Sequence, residues 1–174
     1  PGTKKDTKIY KQTEDAIVAE GAERIVAQMG MRVELDKENG VEFDILFPDR
    51  DVSTLDANDG SIVGRLVYGN SSVMFTGDAT KKTEDIILSE NSPIELQSDI
   101  LKVGHHGSRT STSKEFVLAI SPSYAVISSG MNNKYGHPHK ETLQTLEDFK
   151  IKTLRADLLG TIIFESDGEN FVLK

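Results

Sequence analysis

Apolar and polar residues change period several times along this chain, and each change marks an element. Between Thr13 and Met29 the apolar residues Ile17, Val18, Ile25 and Val26 recur at helical spacing. Thr13 suits an N-cap, Glu14 and Asp15 suit the positive end, and Gly30 suits the close of that helix. The period then drops to two. Met31 to Leu35 alternates, Lys37-Glu38-Asn39-Gly40 has hairpin-turn chemistry, and Val41 to Phe47 alternates again with Phe43, Ile45 and Phe47 on one face, ended by Pro48. Asp49 to Asp59 is polar and acidic and reads as a loop. Ile62 to Tyr68 and Val73 to Thr76 form a second hairpin around Gly69-Asn70-Ser71-Ser72.

The second half alternates strand and helix. Lys81 to Ser89 predicts a short helix with Ile86, Ile87 and Leu88 on its buried side. There follow a strand (Ile100 to Val103), a helix (Lys114 to Ile120), a strand (Tyr124 to Ser128) and a helix (Lys140 to Phe149). Short strands around Lys152 to Arg155, Thr161 to Glu165 and Phe171 to Leu173 finish the chain, with turns at Gly160 and Asp167-Gly168. Hairpins first and alternating strand and helix later predict an α/β (α+β) fold, a mixed sheet flanked by helices in one domain over residues 1–174. No internal repeat is visible.

Composition narrows the chemistry. The chain has 174 residues, 37% hydrophobic and 28% charged, with mean hydropathy −0.35, as expected for one domain with a real core. No apolar run approaches the roughly 18 residues of a membrane span, and the opening PGTKKDTKIYK has no apolar signal core. With no cysteine, disulfides, thiolate nucleophiles and Cys-ligated metals are excluded, so any metal must bind through His, Asp or Glu. All four histidines lie between positions 105 and 139. A net charge of −8 argues against broad adhesion to nucleic acid or anionic lipid. The charge is uneven, however: residues 1–100 carry −9 and residues 101–174 carry +1, so the histidine-bearing half is the one that permits an anionic substrate.

Three predicted strand ends carry reactive side chains. Phe75-Thr76-Gly77-Asp78 places a carboxylate at the sheet edge, either in a crevice or as a cap of the helix that begins near Thr80. Ile100 to Val103 runs out into Gly104-His105-His106-Gly107-Ser108. On an extended backbone the two imidazoles would diverge, one toward a metal and one toward substrate or solvent. The loop continues through Arg109-Thr110-Ser111-Thr112-Ser113 into a helix, where the hydroxyls either cap it or, with Arg109, make an anion site suited to phosphate. Tyr135-Gly136-His137-Pro138-His139 follows the third strand, with His139 a helix-start residue at the surface and Pro138 at the first helical position. Oxygen and imidazole donors together suit zinc, manganese or iron.

Four motifs in order are similar to one family. Asn58-Asp59-Gly60-Ser61-Ile62-Val63, Phe75-Thr76-Gly77-Asp78, Leu101-Lys102-Val103-Gly104-His105-His106-Gly107-Ser108 with Thr110 to Ser113, and Tyr135-Gly136-His137-Pro138-His139 resemble the C-terminal metallo-β-lactamase-like domain of ComEC-type competence (DNA-uptake) proteins. The match runs from about Asp44 onward, and Leu154 to Ile162 resembles that family's close. The resemblance implies part of an αββα sandwich with two metals, zinc or manganese, hydrolysing phosphodiesters through a metal-activated water. It implies Asp78 as bridging ligand, His105 or His106 as terminal ligand, and Asp78, His106 and His137 as catalytic. It places His137 near the substrate phosphate and Ser108 in support of the loop, and Ser108 and, from the anion-site reading of the loop, Arg109 join His137 as candidate phosphate contacts. The implied partner is nucleic acid or another phosphodiester. An extracytoplasmic location is implied if the chain belongs to a ComEC-type membrane protein, and a cytoplasmic or secreted one otherwise.

The superfamily's His-x-His-x-Asp-His or His-x-Asp-x-Asp-His motif is absent, and no histidine precedes His105. The chain is therefore expected to be the C-terminal portion of a larger domain, with little turnover alone. Two other readings stand beside this one. The first is a non-catalytic assembly module that pairs with a second copy or a complementing N-terminal half. The second is a hydrolase of another ester, such as a phosphocholine ester.

Overall fold

The protein is described by a computed structural model covering residues 6–174; the first five residues, part of the opening read above for a signal core, lie outside it. The chain opens with α1 (Lys8–Ala19), capped by Thr7, whose hydroxyl accepts from the Tyr10 amide at 3.2 Å. Thr13, the expected cap, instead lies inside the helix and bonds back to the Ile9 carbonyl at 3.0 Å. The helix stops well before Met29, because Gly21 adopts the left-handed conformation just past its end. Ile25 and Val26, which extend the apolar period, are 67% and 57% exposed and belong to no helix.

β1 (Arg32–Asp36) and β2 (Val41–Phe47) form the first predicted hairpin. β3 (Val63–Tyr68) and β4 (Ser71–Phe75) form the second, which closes more tightly than expected: Ser71 and Ser72 already pair with Tyr68 and Val67. Then follow α2 (Lys81–Glu90), α3 (Pro93–Leu96), β5 (Ile100–Lys102), α4 (Lys114–Ile120), β6 (Tyr124–Ile127), α5 (Lys140–Asp148) and β7 (Lys152–Arg155). After α6 (Ala156–Leu159), the strands β8 (Phe164–Ser166) and β9 (Phe171–Leu173) end the chain. The short turns α3 and α6 are absent from the sequence reading. α3 carried a signal there, since Ser92 and Glu95 form a capping box around Pro93. Pro138 precedes the His139 cap of α5 and so is not its first helical residue.

The seven strands β1 to β7 lie in chain order across one sheet, antiparallel through β4 and parallel from β4 to β7. Right-handed crossovers repeated in one direction lay every connecting helix on the same face. Accordingly, Ile87 of α2, Leu96 of α3, Phe116, Val117 and Ile120 of α4, and Leu146 of α5 join Met74, Leu101, Ala125 and Ile127 in a single buried cluster. Each large side chain taken out of water there contributes roughly 1.5–3 kcal/mol. On α2 the sequence predicted Ile86 to Leu88 as the buried side; Ile87 is buried, joined by Thr83 and Glu84, while Ile86 and Leu88 are only partly covered. The opposite sheet face is covered at one end by the β8–β9 hairpin, where Phe164 meets Tyr124 edge-on at 5.2 Å and the Ser166 hydroxyl donates to that of Ser71 at 2.7 Å. This is the α/β class expected, with a helix layer on one face of a mixed sheet. Among the described residues no helix is long and apolar enough to cross a membrane.

Candidate functional site

Parallel strands end at the same edge, so β4, β5 and β6 deliver their following loops to one place, the usual position of chemistry in such sheets. The first loop holds Asp78. Gly77 before it is left-handed, and a Cβ there would lie 3.1 Å from the Ser61 Cβ, so a side chain would press on the loop behind. The Gly77 carbonyl accepts from the His105 amide and from Lys102 Nζ, both at 3.1 Å, and the Asp78 amide donates to Ser61 Oγ at 3.2 Å. Thr80, not Asp78, takes the cap position of α2, which leaves the Asp78 carboxylate facing His106.

The second loop is not the extended segment expected. His105 (φ 47°, ψ 44°) and His106 (φ 57°, ψ 23°) are both left-handed, a conformation disfavoured by about 1–2 kcal/mol per non-glycine residue. The resulting tight turn draws the two imidazoles into one cluster, their ring centres 6.4 Å apart. Gly107 permits it: a Cβ there would lie 2.6 Å from the Pro138 Cβ, so this glycine is what lets the third loop pack against the second. His137 thereby sits 5.6 Å from His105 and 6.5 Å from His106, and His139 lies 4.8 Å from His137, ring centre to ring centre. All four histidines of the chain meet here.

Each imidazole has its own hydrogen-bond setting. His106 Nδ1 lies 2.6 Å from the Ser128 carbonyl, which can only accept, so Nδ1 carries the proton. Nε2 then faces Asp78 Oδ1 at 3.5 Å. His105 Nδ1 is 3.4 Å from the Thr110 hydroxyl. His139 is half-buried rather than a surface residue; its Nδ1 accepts from the Arg109 amide at 3.1 Å, and its role is to tie two loops together. Burial, followed by the neighbouring imidazoles, holds the His137 pKa below its usual value, against the opposing pull of Asp78, so His137 is neutral at pH 7. It can donate or accept one hydrogen bond there but brings no positive charge. Burial likewise lowers the Lys102 pKa, with Asp78 opposing.

The hydroxyl-rich loop is already occupied. The amides of Thr112 and Ser113 both donate to the buried Glu84 carboxylate of α2, and Ser113 Oγ accepts from the Phe116 amide. Ser111 Oγ donates to the Ala79 carbonyl at 2.6 Å. A phosphate at the start of α4 would have to displace the protein's own carboxylate, so the anion-site reading of this stretch gives way to the capping one. Ser108 is buried with its hydroxyl against that of Thr110, which makes it a brace for the loop, whereas the Arg109 side chain is exposed. Glu84, Lys102, Ser61 and Asp59, whose carboxylate accepts from the Thr80 hydroxyl, all shape the site and were not singled out as site residues from the sequence. Asp59 and Ser61 did lie in a recognisable motif. Glu84 carried no signal, because its partners are 28 and 29 residues away.

Asp78 and the histidines supply the right donor types for zinc or manganese, but they do not converge well enough. Among the described residues no group of three or more His, Asp or Glu side chains is placed to hold a metal ion. Asp78 and His106 form a two-donor pair, which does not fit a two-metal centre by itself.

Residues 4–130 match the pattern of the family described as the metallo-beta-lactamase superfamily. The chain is 39% identical over 122 residues to ComE operon protein 3 of Bacillus subtilis (strain 168), covering 70% of this chain and 15% of that protein. It is 40% identical over 126 residues to competence protein ComA of Neisseria gonorrhoeae, covering 72% of this chain and 18% of that protein. It is also 40% identical over 111 residues to recombination protein 2 of Haemophilus influenzae, covering 64% of this chain and 14% of that protein. The chain thus spans less than a fifth of the length of each of these relatives.

Proposed function

Because the chain belongs to the metallo-β-lactamase superfamily, we propose that it forms the carboxylate-and-histidine side of a hydrolase acting on phosphodiester bonds, of ComEC type and serving DNA uptake. The observation that carries this is the meeting of Asp78, His105, His106 and His137 at the ends of consecutive parallel strands, with His106 Nε2 aimed at Asp78. Competence proteins among the relatives support the DNA-uptake setting. Metals are usual in this superfamily, and zinc or manganese suits the donor types; a two-metal centre would need donors beyond those the described residues bring together. Within the chain, Asp78 and His106 face each other at 3.5 Å as a carboxylate–imidazole pair, and neutral His137 offers a hydrogen bond to a substrate oxygen.

Hydrolysis of a generic phosphodiester in added zinc or manganese tests this reading. The chain alone is expected to show little turnover. Any metal-dependent turnover it shows is expected to be abolished by Asp78→Ala. Hydrolysis that persists after Asp78→Ala would sink the assignment. A second reading, an assembly module, is favoured by the exposed apolar residues at the start of the chain: Val18, Ile25, Val26 and Leu35 are all more than half exposed.

A further inference from the structure

The sheet edge opposite the histidines has chemistry of its own. β4, β5 and β6 begin there, and at their starts Ser72, Asp99 and Ser123 border a recess of about 370 Å³, together with Arg65, Gln97 and Ser121. Its volume is in the range of small-ligand sites.

Asp99 is held from several sides. Its amide donates to the Ser72 carbonyl at 3.1 Å, and its carbonyl accepts from the amides of Ser123 (2.9 Å) and Tyr124 (3.1 Å). Its Oδ2 accepts from the Ser72 amide (2.8 Å) and hydroxyl (3.2 Å), which leaves Oδ1 without a partner among the described residues. Arg65 is fixed too: Nε donates to the Gln97 carbonyl at 2.7 Å, and both Nη groups remain over among the described residues. In the β3–β4 register Arg65 stands opposite Met74, two residues along from Ser72, so it rises on the same sheet face as the serine that holds Asp99. Such diagonal neighbours lie about 7–8 Å apart, so one small molecule can touch both groups.

Neither charge takes part in an ion pair among the described residues, with the other or with anything else. Both residues are half-buried. A partly desolvated charge without a counter-charge is costly, and here one of each sign borders the same recess. A simple anion would neutralise Arg65 and leave Asp99, and a simple cation would do the reverse. A molecule that carries both charges satisfies the two at once.

We propose that this recess binds a free α-amino acid with a small polar side chain. Its carboxylate lies on the Arg65 Nη groups, whose planar fork suits a two-point contact, and its ammonium lies on Asp99 Oδ1. Its side chain turns toward Ser121 and Ser123, both exposed. The recess and the Asp78–histidine cluster occupy opposite sheet edges, so this site stands whether or not the phosphodiester reading holds.

NMR titration of the isotope-labelled chain with L-serine, N-acetyl-L-serine, L-serinamide and glycine betaine tests it. L-serine is expected to give saturable shifts at the amides of Ser72, Asp99 and Ser123. The acetylated and amidated forms each lack one charge, and betaine lacks N–H donors; all three should bind at least roughly tenfold more weakly, as loss of one charged hydrogen bond implies. Asp99→Asn keeps an acceptor for Ser72 and should make L-serine and N-acetyl-L-serine equal. Arg65→Gln should make L-serine and L-serinamide equal, and it gives up only the bond to the Gln97 carbonyl, so it decides the matter if Asp99→Asn does not fold. No saturable shift with L-serine, shifts centred on the histidine edge, or an unchanged preference in either folded variant overturns the site.

Discussion

His105 and His106 occupy backbone angles that glycine would take more comfortably, and against that strain stands only one side-chain hydrogen bond each, His106 to the Ser128 carbonyl and the longer His105 contact with the Thr110 hydroxyl. Their value lies in where the imidazoles point. Replacing His105 with Gly is therefore expected to raise stability by about 1 kcal/mol, read as a higher urea midpoint at unchanged slope; a lower midpoint would show that the turn is not strained. Gly107→Ala should act the other way. It adds a Cβ 2.6 Å from that of Pro138 at φ +85°, and a loss of about 2 kcal/mol or more is expected in the same assay. Unchanged stability would mean that the second and third loops can separate freely. The glycine brackets around the two histidines were legible in the sequence; the left-handed turn was not, because histidine's modest enrichment in that region does not single out two consecutive residues.

At the scale of elements, the site depends on a clamp between α2 and the loop leading to α4. Glu84 receives two backbone amides, Ser111 reaches the Ala79 carbonyl, and the Lys81 amide donates to the Thr110 carbonyl at 2.8 Å. Removing the carboxylate in Glu84→Ala strands two buried donors, and a loss of about 2–4 kcal/mol is expected. Burial raises the Glu84 pKa above its ordinary 4.5, against its hydrogen bonds to Ser113 and Thr112. The folded state therefore binds this proton more tightly than the unfolded chain, and the contribution of Glu84 to stability falls as pH rises from about 4.5 through the folded pKa. The stability of wild type minus that of Glu84→Gln, followed by urea unfolding across that window, should decline with pH; a flat or rising difference would contradict the buried carboxylate. The elements themselves were largely legible, since β2, α2, α4 and β6 lie within a residue or so of their sequence patterns. α1 was misplaced because a helical apolar period continues into residues that the tertiary structure leaves uncovered.

The whole molecule is unevenly held. The sheet and its helix layer share one core, which even the loop residue Val52 enters at 1% exposure, whereas no residue of α1 is buried. Segments without buried contacts open first. Brief trypsin treatment is expected to cut near Arg24 while the protein from Met29 onward, tied in by the Met29 and Gly30 amides to Pro48 and Ile45, stays folded. Cleavage in the sheet at the same rate would contradict this division. If the exposed apolar residues of α1, β1 and the segment between them serve assembly, light scattering should show association that substituting Val18 and Ile25 with Ser abolishes; a clean monomer would remove the assembly reading.

Local chemistry settled what could be read from residues alone. Period changes marked strands and helices, glycines and hydroxyls marked turns and caps, and four ordered motifs pointed to a family and to Asp78, His105, His106 and His137. Those signals persist in the sequence because they act between near neighbours. Long-range packing decided the rest. Sheet order brought three loops to one edge, Glu84 closed the anion site from 28 residues away, and the approach of Pro138 to Gly107 drew four imidazoles and an exposed tyrosine together. Such contacts join distant residues, so their cause lies in the geometry of the folded sheet rather than in any stretch of the chain.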